Sequence, residues 1–328
     1  MSLVMMATCW NHRSLPRLAP HAVAVDRIGL TVSDMDRSLA FYAGTLQFRV
    51  VADTEVAGAA WEQATGVFGV RLRRVTLELG QERLELTEFL AASRPGLPAP
   101  VDSRSNDRWF QHVAIITSDM DSAYRLLRAH RVRSASTAPQ LLPASLPNAA
   151  GIRAFYFRDP DGHPLEVLQF PADKGDPRWQ ARGALFLGID HTAIVVASTE
   201  RSLAFYRDQL GMRVAGGSEN FGTEQEHLNN VEGAHLRITA LRAPSGPGVE
   251  LLEYLFPRDG RPYPEMERPN DLVHWQTVIR VKEPALVAAQ LVRGRATMLS
   301  RPEPGNHPVL PGILLRDPDG HVIELETP

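Results

Sequence analysis

The sequence predicts an α+β fold made of four βαβββ modules, and three observations carry that prediction. First, the 328-residue chain repeats itself at half its length. Asp26-Arg27-Ile28-Gly29-Leu30-Thr31-Val32 followed by Arg37-Ser38-Leu39-Ala40-Phe41-Tyr42 returns as Asp190-His191-Thr192-Ala193-Ile194-Val195-Val196 followed by Arg201-Ser202-Leu203-Ala204-Phe205-Tyr206. The offset is 164 residues, and the same offset relates Asn106-Asp107 to Asn270-Asp271. Second, each half repeats internally, since a strand opening at His112 runs into Ser118-Asp119-Met120-Asp121 as the strand around Arg27 runs into Ser33-Asp34-Met35-Asp36. Third, both halves close on Arg-Asp-Pro-Asp-Gly-His with a Glu three residues after the His, at Arg158–Glu166 and Arg316–Glu324. A repeat of this length marks a supersecondary unit used more than once.

Taken in order, each module opens with a β-branched, apolar strand. A short amphipathic helix follows, which Ser33 or Asp34 can cap, with Leu39 and Tyr42 or Ala43 on its buried stripe. Gly211 is placed to stop the third module's helix, and Pro284 sits where a first helical turn tolerates proline. Three strands come next in the odd-numbered modules. The last of them is Leu84–Phe89 or Val249–Tyr254, where alternation sets Glu85 with Thr87, and Glu250 with Leu252, on one face. In the closing hairpins, Pro160 and Pro318 preset φ, and Gly162 and Gly320 supply the positive φ that closes the turn. Glu166 and Glu324 therefore land early in a returning apolar strand, and a carboxylate so placed needs a partner. The expected layout is an extension over 1–23, a first domain over 24–170, a polar linker over 171–184 and a second domain over 185–328. Pro-rich stretches at 93–105, 137–151 and 257–269 are long for plain connections, and such loops often serve as lids or partner surfaces.

Composition excludes several function classes. With 44% hydrophobic and 22% charged residues and a formal net charge of -3, nothing in the charge argues for nucleic acid or an anionic membrane surface. No apolar run reaches the ~18 residues of a membrane span. The single cysteine, Cys9, excludes an intramolecular disulfide framework or a thiolate metal cluster. The apolar start, 1–10, lacks a basic stretch before it and reads as a frayed extension, not a signal peptide. Cytoplasm is the expected compartment, and a small molecule the expected partner. Either a monomer or a homodimer is compatible, because pairing within the chain removes the need for a second copy.

The strand-opening His, the Ser-Leu-Ala-Phe-Tyr helix and the Asp-Pro-Asp-Gly hairpin before a Glu, ordered in four modules over about residues 24–328, resemble the vicinal oxygen chelate superfamily. That family includes glyoxalase I, type I extradiol dioxygenases, methylmalonyl-CoA epimerase, fosfomycin-inactivating enzymes and bleomycin-binding proteins. The resemblance implies modules paired into two half-barrel domains of the glyoxalase, bleomycin-resistance and dioxygenase type. It also implies one divalent metal ion held by the opening and closing strands of two modules. Carried over within the second half, the ligands are His191, Glu250, Gln276 and Glu324, a set similar to that of eukaryote-like glyoxalase I. Two carboxylates balance a divalent charge, and nitrogen and oxygen donors suit Zn, Ni, Co, Mn or Fe. The first half supplies Arg27, Glu85, His112 and Glu166. There a guanidinium replaces the first ligand, so a degenerate site is expected in which Arg27 bridges Glu85 and Glu166.

The implied activity is that of a lyase or isomerase acting on a small carbonyl compound through an enediolate, with Glu250 or Glu324 shuttling the proton. Two alternatives stay open. If the strand register slips so that His274 replaces Gln276, His191, His274 and Glu324 resemble the triad of an Fe(II) extradiol dioxygenase. If the polar positions are only structural, Trp109, Phe110, Tyr254 and Trp275 would line the cavity of a non-catalytic binding protein. His163 and His321 read as hairpin flanks, Arg158 and Arg316 as partners of a neighbouring Asp or strand carbonyl, and His227 and His235 as exposed. The acidic stretch 221–230 does not suit a thiol conjugate unless Arg213, Arg237 or Arg242 compensates.

Overall fold

A computed structural model describes residues 21–301 and 311–328. Most of the expected extension, and Cys9 with it, lies outside the described residues. The first module holds β1 (Ala22–Val32), α1 (Met35–Tyr42), β2 (Arg49–Ala57), α2 (Ala59–Thr65), β3 (Arg71–Leu79) and β4 (Glu82–Ala91). The second holds β5 (Gln111–Thr117), α3 (Met120–Ala129), the short β6 (Arg133–Ser134) and β7 (Gln140–Leu141), β8 (Arg153–Arg158) and β9 (Pro164–Gln169). In the third come β10 (Phe186–Val196), α4 (Thr199–Leu203) running on as a π-helical turn, β11 (Arg213–Asn220), α5 (Thr223–Asn229), β12 (His235–Arg242) and β13 (Gly248–Phe256). The fourth is β14 (Trp275–Val281), α6 (Pro284–Arg293), β15 (Thr297–Met298), β16 (Ile313–Arg316) and β17 (Val322–Glu326). Two short helices, α2 and α5, interrupt the strand runs of the odd modules, and α5 falls within the acidic stretch 221–230.

Local chemistry accounts for the helix ends. Asp34 caps α1 by accepting from the Arg37 amide, Asp119 caps α3, and Ser198 caps α4. Gly211, at φ +79, follows the π turn, a backbone state open to glycine at no steric cost.

Among the described residues the strands form two sheets, and neither follows the halves of the sequence. One runs β15-β16-β17-β14-β1-β4-β3-β2, joining the fourth module to the first. The other runs β11-β12-β13-β10-β5-β9-β8-β6, joining the third to the second. Each is mixed: β1 pairs antiparallel with β14 and parallel with β4, and β10 pairs antiparallel with β5 and parallel with β13. The hydrophobic cores divide differently. Ile28, Tyr42, Leu84, Ile115, Leu127 and Phe155 belong to one core, shared by the first two modules. Ile194, Tyr206, Leu251, Ile279 and Leu291 belong to another, shared by the last two. The halves are thus units of core packing, and the sheets tie one half to the other.

The two repeated motifs meet inside each core. The Tyr42 hydroxyl donates to Asp159 Oδ2 at 3.0 Å, and Tyr206 donates to Asp317 Oδ2 at 3.0 Å. The other oxygen of each Asp accepts the backbone amides that close the Asp-Pro-Asp-Gly turn, three of them at 2.8–2.9 Å in each copy. All four side chains are buried, so the helix of an odd module staples the hairpin of the even one that follows. Removing one hydroxyl leaves a buried acceptor short of a donor. We expect Tyr206→Phe to cost about 1–3 kcal/mol, read as a lower urea midpoint with unchanged slope.

Candidate metal centre

In the sheet of the second and third modules, neighbouring strands set four side chains on one face. Ala114 on β5 lies opposite His191 on β10 and beside Glu166 on β9. Ala193 on β10 lies opposite His112 and beside Glu250 on β13. Two small methyl groups therefore sit at the middle, and an imidazole and a carboxylate flank each. His112 Nε2 is 3.2 Å from Glu166 Oε2, and His191 Nε2 is 3.7 Å from the same atom and 3.3 Å from Glu250 Oε2. Ligand atoms of His112, Glu166 and His191 all fall within 4.8 Å of one another, close enough to share one ion.

The surroundings fix the ligand atoms. His191 Nδ1 bonds Asp190 Oδ2 at 2.9 Å, which turns Nε2 toward the centre. Both Asp190 oxygens accept from Arg242 Nη2 at 2.9 Å, and Oδ1 also accepts the Trp179 indole at 3.1 Å. Burial works against the Asp190 charge, but the His191 and Arg242 contacts hold its carboxyl below the usual range. Burial likewise opposes a charged His191, yet the Glu250, Asp190 and Glu166 carboxylates outweigh it and push the imidazole up to about 9. Burial raises Glu250. His112 is 1% exposed, and apart from the 3.2 Å approach of Nε2 to Glu166 neither ring nitrogen has a hydrogen-bond partner among the described residues. A buried imidazole left in that state points to a missing ligand. Two imidazoles and the Glu166 carboxylate within reach of one ion, with Glu250 beside His191, fit a divalent cation in charge and donor type. The centre opens into a cavity of about 780 Å³ whose wall includes Tyr156, Asn220, Gln225, Leu228 and Leu252.

The structure does not bring together His191, Glu250, Gln276 and Glu324. Gln276 and Glu324 lie in the other sheet, opposite Gly29 and beside Val278. The 164-residue offset marks duplicated sequence, whereas adjacency across the halves is set by strand pairing. For the same reason Arg27 does not meet Glu166. Arg27 Nε bonds Glu85 at 3.1 Å, and its other nitrogens reach Asp26 and Glu326 at 2.5–2.9 Å. The sheet of the first and fourth modules instead carries Arg27, Glu85, Gln276 and Glu324, with Gln276 Nε2 donating to Glu324 at 2.8 Å. His112 and Glu166 leave the expected degenerate set and join His191 and Glu250. His274 sits with Gln276, bonded through Nδ1 to Glu267 at 2.6 Å, far from the His191 centre in the fold.

Other expectations are met or corrected in detail. Arg158 and Arg316 donate to the Gly162 and Gly320 carbonyls, and Arg316 pairs with Glu267, not with the turn aspartates. His163 pairs with Asp159, and His321 reaches the Val195 carbonyl. His227 contacts Thr137, and His235 contacts Glu219. Of the four aromatics, Phe110 and Tyr254 pack in the core beneath the cavity, while Trp109 and Trp275 pack elsewhere. Nothing in the sequence marks Asp190, Trp179 and Arg242 as a group. Asp190 stood next to His191 in the repeat, but Trp179 was hidden in a stretch whose composition reads as linker.

The family model for the Glyoxalase/Bleomycin resistance protein/Dioxygenase superfamily matches residues 24–167 and 188–325. The chain belongs to this superfamily. It is 33% identical over 159 residues to the 2-epi-5-epi-valiolone epimerase of an Actinomyces species, a match covering 47% of this chain and 82% of that one. Its fold is similar to that of glyoxalase I from Zea mays, with a TM-score of 0.61 and 16% identity over 94% of this chain and 92% of that one. No helix among the described residues is long and apolar enough to cross a membrane.

Proposed function

We propose that the chain is a divalent-metal-dependent isomerase that moves a proton beside the carbonyl of a small substrate, with epimerisation as the favoured outcome. One observation carries this reading: two imidazoles and two carboxylates converge at the head of a cavity, and one imidazole lacks any other partner. His112, Glu166, His191 and Glu250 would hold the ion. When bound, it supplies Lewis-acid polarisation of the substrate carbonyl and so acidifies the adjacent C–H. The remaining steps belong to the chain's own residues. The Glu250 side chain is 22% exposed and that of Glu166 only 5%, so Glu250 is the carboxylate open to the cavity and takes the proton. Burial raises its proton affinity, which favours taking up the proton. Glu166 stands across the two alanines on the opposite flank; it would give the other face a proton that it carries at the start of the cycle, which inverts the carbon, and the proton left on Glu250 passes through solvent to restore Glu166 before the next turnover. Tyr156, on the strand beside Glu166, is kept protonated by burial and by the Glu166 and Glu250 charges. Its hydroxyl is placed to donate to a substrate oxygen.

The relative named for an epimerase supports this outcome over the lyase reaction. A second reading follows from the His112–Glu166–His191 cluster, which as two imidazoles and one carboxylate resembles an iron(II) dioxygenase centre. The approach of Glu250 to His191 argues against it, because such a centre keeps positions open. In D2O, Glu250→Gln is expected to slow exchange of the substrate's carbonyl-adjacent hydrogen by about 10²–10⁴-fold, while His112, Glu166 and His191 retain the metal. Unaltered exchange, or oxygen uptake with catechols by the iron-loaded protein, would refute the isomerase reading.

A further inference from the structure

The duplicated architecture contains its own control for what the cavity binds. Each odd module places a short helix over its barrel, α2 in the first and α5 in the third, each preceded by a glycine at positive φ, Gly58 and Gly222. At the 164-residue offset, Val56, Trp61 and Thr65 correspond to Asn220, Gln225 and Asn229. In the first module the helix plugs its barrel. Trp61 lies under the Arg74 guanidinium at 4.6 Å, and the space left beside Glu324 is about 30 Å³. In the third module the same positions carry three amides. Asn220 Nδ2 donates to Gln225 Oε1 at 3.0 Å, and Gln225 Nε2 donates to Asn229 Oδ1. All three are at most 3% exposed, and Asn220 and Gln225 line the 780 Å³ cavity.

The chain of amides is incomplete at its cavity end. Asn220 Oδ1 is buried with no hydrogen-bond partner, and leaving such a group unmet is costly. Nor is α5 free to turn away. Ser136 Oγ donates to the Leu228 carbonyl at 2.6 Å, and the Thr137 amide donates to the His227 carbonyl at 3.1 Å. Both residues come from the second module, so the wall is pinned by the same pair of modules that builds the metal centre. Beside it Leu228, Ile238 and Leu252 give the cavity an apolar face.

We propose that Asn220 and Gln225 form a hydroxyl-recognition wall, and that the substrate is a polyhydroxylated carbonyl compound. This deepens the reading given under Proposed function and rests on it for the position of the carbonyl. A hydroxyl both donates and accepts, so it completes the amide chain whichever way the amides are turned. A purely apolar group would leave the amide chain incomplete. The carbonyl end lies at His191 and Glu250, a distal hydroxyl bonds Asn220, and the C–H face of the molecule packs on the leucines.

The probes are the stereoisomeric pentahydroxycyclohexanones and their monodeoxy counterparts, titrated calorimetrically into the zinc-loaded full chain and its Asn220→Leu variant. At least one stereoisomer is expected to bind, and Asn220→Leu to weaken it about 10–100-fold. The monodeoxy probe lacking the recognised hydroxyl should bind wild type that much more weakly, with no further loss in the variant, as a double-mutant cycle requires for a direct contact. The deoxy arm on wild type keeps the test valid if the variant misfolds. Binding by no pentahydroxycyclohexanone, or equal binding by wild type and variant, overturns the proposal. Zinc content and α-hydrogen exchange, followed in parallel, separate the two readings. Lost zinc or exchange with Asn220-dependent binding intact fails the isomerase alone, whereas intact exchange without Asn220 dependence fails the wall alone.

Discussion

Alanine at His191 is expected to strip the divalent ion from the purified protein, taking metal content from about one per chain to none, and to abolish turnover. His191 gives the site one of its two nitrogen donors, and its Nδ1 contact with Asp190 fixes the aim of Nε2. Losing only the residue that orients a ligand costs about 10–100-fold in metal affinity, so losing the ligand itself should exceed that. His112→Ala should act alike. Gln276→Ala, in the other barrel, should leave metal content unchanged, although grouping by sequence half would make it a ligand. Elemental analysis of the three variants decides the matter, and retained metal in His191→Ala would sink the site.

Methionine at Arg27 should destabilise the fold by about 3–5 kcal/mol, the range found when one partner of a buried ion pair is removed. Arg27 is 8% exposed and, with Arg74 and Arg280, faces Asp26, Glu85 and Glu326. Three guanidinium groups already balance three carboxylates. Glu324 is a fourth carboxylate without a counter-charge, and burial and the Glu326 charge, against the pull of Arg27, push it up to about 8. The sign follows from linkage: a carboxyl whose folded value is raised binds more protons folded than unfolded. Its contribution therefore falls as pH climbs from its ordinary value toward about 8, and levels off above. Arg27→Met removes the nearest cation, so its penalty should widen across that window, while Glu324→Gln should relieve the alkaline loss. Urea titrations at pH 5 and pH 9 measure both; an Arg27→Met midpoint equal to wild type at pH 9 would show the guanidinium to be dispensable.

Much of this was legible in the residues. Four modules, a Ser33 or Asp34 cap on the first helix and the Gly211 stop follow from periodicity, turn chemistry and the repeat, and the eight polar strand positions follow from the family resemblance. What could not be read was which four positions share a centre. The repeat period reports duplicated sequence, and strand adjacency depends on how a sheet closes across a linker. Chemistry offers one hint, since sorting the eight by ligand strength sets His112 with His191 and leaves Arg27 and Gln276 behind, while the four glutamates are alike and need the strand pairing to divide them. Trp179 shows the opposite limit. A buried indole bonded to Asp190 came from a segment that is polar and turn-rich over its length.

Cores pair the modules one with two and three with four, and sheets pair two with three and four with one, so the four units form a closed ring. Cutting such a ring at opposite points yields two equal pieces, each with a finished core and two unfinished sheet edges. A chain carrying only one piece would close the ring by meeting a copy of itself, and both barrels would then be identical. Joining the pieces in one chain lifts that symmetry. It lets one barrel keep His112 and His191 around an open cavity while the other fills with Arg27 and Trp61, so duplication here freed one site to become a strut.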